Sequence, residues 1–154
     1  MLETLAKRLS NKKIVILGLG HPLRGDDSAG AELADRLAGK VEATVINAGG
    51  VPENYLGPII TARPEVLMIL DAASMGAPPG SLAIIEMDNI ASSGLTTHNA
   101  SFNLFLLILR SEIQPDTFVL GIQPQAIEFG APLSEPVLKS LGTIERALLQ
   151  ILSP

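Results

Sequence analysis

Short apolar runs at residues 13–17, 43–46, 66–70, 82–86 and 117–120 have the length and unbroken hydrophobicity of strands covered on both faces. Between them the apolar positions recur at helical spacing. Ala31, Leu33, Ala34 and Leu37 share one face within residues 27–38, and helical patterns also span 2–9, 55–61, 100–113 and 135–152. This alternation predicts an α/β fold with a largely parallel, helix-covered sheet. One link breaks the rule. Residues 73–80 contain Gly76, Pro78, Pro79 and Gly80 and are too short for a crossover helix, so the fourth strand is predicted to run antiparallel. No repeat, low-complexity tract or long linker divides the chain, and residues 1–154 are expected to form a single domain. A chain of this size buries about 70% of its unfolded surface.

Composition narrows the function classes. The longest apolar stretch, residues 104–109, is too short to cross a bilayer, and Met1 is followed by Glu3, Lys7 and Arg8 rather than an apolar signal core. A cytoplasmic protein with no membrane partner is expected. The absence of cysteine removes disulfides, thiolate metal ligands and a cysteine nucleophile together. A net charge of −5, with one tyrosine, four phenylalanines and no tryptophan, argues against nucleic acid as a partner.

The chemistry concentrates in a loop. Gly18-Leu19-Gly20-His21-Pro22-Leu23-Arg24-Gly25-Asp26-Asp27-Ser28-Ala29-Gly30 follows the first strand and leads into a helix, the place where open α/β sheets keep their sites. It carries carboxylates where a phosphate loop would offer bare N–H groups, so a cation suits it better than a nucleotide. Leucine at position 23 also breaks the dinucleotide glycine pattern. Adjacent side chains on a helix diverge by about 100°, which assigns Asp26 as the helix cap and Asp27 as the functional acid. Asp71 ends the most apolar strand, where an uncompensated carboxylate would cost several kcal/mol. His98 lies just before the helix over 100–113. If the first and third strands are neighbours, Asp27, Asp71 and His98 share one rim, and two carboxylates with an imidazole suit a divalent transition metal with open positions. His21 could approach the same cleft and add or alter a ligand, but its plainer role is to orient the loop through backbone hydrogen bonds.

Taken together, GLGHPLRGDDSAG, Ala48-Gly49-Gly50 with Val51-Pro52-Glu53-Asn54, Leu70-Asp71-Ala72, Thr96-Thr97-His98-Asn99 and Gly121-Ile122-Gln123-Pro124 resemble the motifs of the [NiFe] hydrogenase maturation endopeptidases, most closely those of the hydrogenase 3 type. The resemblance spans nearly the whole chain. It implies a three-layer α/β/α sandwich with a mixed, mostly parallel five-stranded sheet. It also implies a monomeric enzyme that removes a C-terminal extension from the hydrogenase large-subunit precursor after nickel insertion. By motif, the family's metal-contacting acid, second acid and histidine fall on Asp27, Asp71 and His98. Two positions depart from the pattern: His21 stands where asparagine is usual, and Ser28 where glycine is common.

On this reading nickel arrives with the precursor, and the free protein binds nickel or zinc only weakly. No cysteine is present and no serine pairs with a second histidine, so attack by water assisted by a carboxylate is expected rather than an acyl intermediate. A Gly-x-Ser-x-Gly elbow is also missing. The alternative is a non-catalytic nickel-binding or precursor-chaperone module.

Overall fold

The computed structural model describes residues 1–97 and 99–154. Its elements follow the expected alternation: α1 (Leu2–Leu9), β1 (Ile14–Leu19), α2 (Ala29–Leu37), β2 (Thr44–Gly49), α3 (Leu56–Ala62), β3 (Val66–Ala72), β4 (Leu82–Glu86), α4 (Ala100–Glu112), β5 (Asp116–Ile122) and α5 (Glu135–Ile151). Short 3-10 segments, Gly25–Ser28, Pro52–Tyr55 and Met87–Ser92, lead into or link them.

The sheet order is β2-β1-β3-β5-β4, with β4 antiparallel to β5 and every other pairing parallel. Alternate side chains of the central strands feed two cores. Ile14, Ile16, Met68 and Phe118 pack with α1, α2 and α5. Val15, Leu17, Leu67, Ile69 and Val119 pack with Ile59 of α3 and Phe102, Phe105 and Leu109 of α4. Burial on both faces explains why the central strands read as continuous apolar runs. The apolar run of β2 predicts the same burial, yet β2 forms a sheet edge and is only partly covered. Among the described residues, no helix is long and apolar enough to cross a membrane.

β1 passes through α2 to reach β2 on one side, whereas β3 passes its chain toward β4 and β5 on the other. The carboxyl ends of β1 and β3 therefore flank a topological switch point, where the diverging loops leave a crevice. The packing there is close. A Cβ on Gly30 of α2 would collide with the Leu70 carbonyl oxygen of β3, so glycine lets the helix lie directly on the sheet. Gly20, at φ 135°, passes so near the Asp27 carbonyl that no side chain fits.

Candidate active site

The ends of β1 and β3, paired through Gly18 and Leu70, deliver Asp27 and Asp71 to this crevice. A register shift between Gly18 and Leu19 ends the regular β1–β2 ladder, and the Gly20 N–H donates to the Gly49 carbonyl at 2.9 Å before the chain turns into the loop.

Asp26 and Asp27 sit in the 3-10 segment Gly25–Ser28, ahead of α2 rather than within its first turn. They do face different ways, but Asp26 is not a helix cap. Its fully buried carboxylate accepts from the N–H groups of Gln125 (2.8 Å), Ala126 (3.3 Å) and Ser134 (2.8 Å) and from the Ser134 hydroxyl (2.7 Å). It staples the loop after β5 to the loop after β1. Sequence proximity to α2 suggested a cap, whereas the satisfied donors lie about a hundred residues away and leave no local trace.

Asp27 has a different environment. Its Oδ2 accepts from the backbone N–H of His21 at 3.0 Å, while Oδ1 is buried and has no hydrogen-bond partner among the described residues. An orphaned carboxylate oxygen costs free energy in the folded protein, so a contact supplied from outside would relieve it. Ser28, the glycine substitute, donates its hydroxyl to the Gly25 carbonyl at 2.7 Å and tightens the turn.

Asp71 is fully buried, and its charge is compensated by the returning chain. Leu95 bridges antiparallel to Ala73, and the Thr96 N–H donates to the Ala72 carbonyl at 3.0 Å. This places the hydroxyls of Thr97 (2.8 Å) and Thr96 (3.3 Å) and the N–H of Ala72 (2.9 Å) on Oδ1, with the Thr97 N–H on Oδ2 at 3.2 Å. Burial nevertheless pushes the carboxyl up to about 7, against the lowering effect of the Thr97 bonds and with a further upward push from the Asp27 charge. The compensation that the sequence requires of Asp71 comes from the Thr96-Thr97 pair, 25 and 26 residues further along the chain, a spacing that leaves no local signal.

His98, the third predicted ligand, lies outside the described residues. The following residue, Asn99, caps α4 by accepting from the Phe102 N–H at 2.9 Å. Among the described residues no three His, Cys, Asp or Glu side chains form a metal site. His21 orients the loop as expected, through its backbone bond to Asp27 and an imidazole Nδ1 that accepts from the Leu23 N–H at 3.1 Å. Glu53, part of the Val51–Asn54 motif but not among the predicted site residues, has a second buried oxygen, Oε2, without a hydrogen-bond partner among the described residues, in the 3-10 segment after β2. Gln123 is structural: its Oε1 accepts from the N–H groups of Met75 (2.6 Å) and Ala77 (3.4 Å) and shapes the β3–β4 link. A cavity of about 590 Å³ lined in part by Lys12, Lys13 and Glu42 opens at the amino ends of the strands, away from the carboxylate pair.

A family model described as hydrogenase maturation protease, HycI, matches residues 28–151. The hydrogenase 3 maturation protease of Escherichia coli strain K12 is 38% identical over 137 residues, covering 87% of each chain. The crystal structure of a [NiFe] hydrogenase maturation protease HycI from Thermococcus kodakarensis KOD1 superposes with a TM-score of 0.86 at 26% identity, covering 97% of this chain and 98% of that one. The solution structure of the endopeptidase HycI from Escherichia coli gives 0.79 at 36% identity, over 90% of both chains.

Proposed function

This chain belongs to the hydrogenase maturation proteases, and from that premise we propose that it removes the C-terminal extension of a [NiFe] hydrogenase large-subunit precursor once nickel is in place. Asp27, Asp71 and His98 would meet a nickel ion that the precursor brings with it. The observation that carries this reading is the Asp27 Oδ1, buried, without a partner among the described residues, and belonging to a carboxylate whose charge acts on Asp71 at the switch point. A metal contact satisfies that oxygen without asking the free enzyme to hold a complete coordination sphere.

The two acids differ in what they offer a cation. Asp27 offers the open oxygen. Burial raises the Asp71 carboxyl above the ordinary range in the metal-free protein, whereas a cation brought by the precursor would act in the opposite sense and hold it ionised as a contact. A cytoplasmic site of action fits a chain without cysteine.

Mass spectrometry of the nickel-loaded precursor before and after incubation tests the proposal. Wild type should release the C-terminal peptide and Asp27→Asn should not. A precursor that binds wild type and keeps its full mass would instead establish the non-catalytic chaperone.

A further inference from the structure

His21 is tied to the site through its backbone N–H, which donates to Asp27 Oδ2 at 3.0 Å, while its imidazole is held in a state that makes it a poor metal ligand. Its Nδ1 accepts the Leu23 N–H at 3.1 Å, so Nδ1 carries a lone pair and the proton of the neutral ring resides on Nε2. A ring that offered Nε2 to a metal would need its proton on Nδ1, where it would oppose the Leu23 N–H. Because Nδ1 turns into the loop, Nε2–H lies on the outward part of an exposed side chain, with no hydrogen-bond partner among the described residues.

The surroundings hold this ring in place. His21 gives its own N–H to Asp27 Oδ2, which fixes its backbone against the site. Phe129 meets the ring edge-on, with centroids 6.5 Å apart and planes at 63°. Phe129 is itself 75% exposed, whereas the other three phenylalanines are fully buried. The Gly130 N–H donates to the Leu23 carbonyl at 2.7 Å and ties the two loops together. Restraint of this kind lowers the entropy lost when a ligand binds.

We propose that His21 is a substrate-binding donor: its Nε2–H hydrogen-bonds a backbone carbonyl of the precursor tail beside the scissile bond, while Nδ1 keeps the loop in shape. This deepens the proteolytic reading of the same site and rests on it for the identity of the ligand. Asparagine satisfies both demands, since its oxygen can accept the N–H two residues on and its amide can donate outward. Serine can accept that N–H in the same turn but is too short to replace the outward donor.

The test compares wild type, His21→Asn and His21→Ser, using the nickel-loaded large-subunit precursor immobilised as the binding probe, with cleavage followed in parallel. Thermal unfolding should show both variants folded. His21→Asn should bind within about twofold of wild type and His21→Ser about tenfold more weakly, the scale of one lost hydrogen bond. In cleavage the loss should appear in KM. Nickel titration of the free proteins should be the same for all three. Serine binding as well as wild type, asparagine binding as poorly as serine, or a nickel affinity that falls with either variant would overturn the assignment. If wild type binds the precursor but cuts nothing, the proteolytic reading fails while the binding contrast still decides the role of His21. If wild type does not bind it, both fail.

Discussion

At pH 8 the folded chain holds an ionised Asp71 with no solvent exposure, and four hydrogen bonds only partly offset the loss of hydration. A pKa near 7, against an ordinary value of 3.8, means that between those limits the folded state binds the proton more tightly than the unfolded one. Stability associated with this group is therefore fully present below about pH 4 and is lost as pH rises through 7. Replacing Asp71 by Asn removes the titration. For the metal-free protein, the unfolding free energies of Asp71→Asn and wild type should diverge in favour of Asn by on the order of 4 kcal/mol between pH 4 and pH 8. Denaturant titrations across that range check this, and parallel profiles would count against it. The neighbouring acids separate stability from chemistry in the opposite sense. Asp26→Ala leaves four donors unmet and should cost at least about 3 kcal/mol. Asp27→Asn can keep the His21 contact and should change stability by no more than about 1 kcal/mol while abolishing precursor processing. Loss of activity in a normally stable Asp26→Ala protein would reverse these roles.

The element that most constrains the site is α2, because it packs without side-chain spacers on the strands that carry the acids. Alanine at position 30 would gain about 1 kcal/mol of helix propensity. Its Cβ would also run into the backbone carbonyls of Leu70 and Leu19, which cannot swing aside as a flexible side chain can. Because the atoms met are backbone, the overpacking cost lies at the upper end, about 3 kcal/mol, so Gly30→Ala is expected to lower stability by about 2 kcal/mol net, measurable by chemical denaturation. Much at this scale was legible in the sequence. The helices over 2–9, 100–113 and 135–152 form within a residue of their predicted ends, and the breakers in residues 73–80 correctly signalled the antiparallel β4. Strand order and burial were less legible: an apolar run records a strand without saying whether it ends up central like β3 or at the edge like β2. The site shows the same division. The positions of Asp27 and Asp71 at strand and helix ends are visible in the sequence. The staples from Asp26 to Gln125 and Ser134, the Thr96-Thr97 cradle of Asp71 and the orphaned Glu53 oxygen all arise from tertiary contacts that no local pattern encodes.

Across the whole molecule, the rigid sheet sets the separation of β1 and β3, and the loops after them present a crevice with few ligands and no covalent nucleophile of the cysteine type. Two carboxylates and an imidazole leave a transition metal's coordination sphere open, so the proposed site gains its missing donors from the precursor. A flexible C-terminal tail presented without its metal would meet the crevice in many orientations. An anchor fixed near the scissile bond converts that loose encounter into an oriented one, and orientation can supply a large part of a rate enhancement. Cleavage should therefore follow nickel loading of the precursor rather than nickel supplied to the enzyme. Precursor prepared without nickel should remain full length even with excess enzyme, whereas loaded precursor should be cut by enzyme previously stripped with chelator and desalted. Asp71→Ala and His98→Ala should each impair cutting of the loaded form. The free enzyme should take up nickel or zinc only weakly by calorimetry if, as proposed, the donors that complete the site come from the precursor. Efficient cutting of metal-free precursor in the continuous presence of a strong chelator would show that the anchor is something other than nickel.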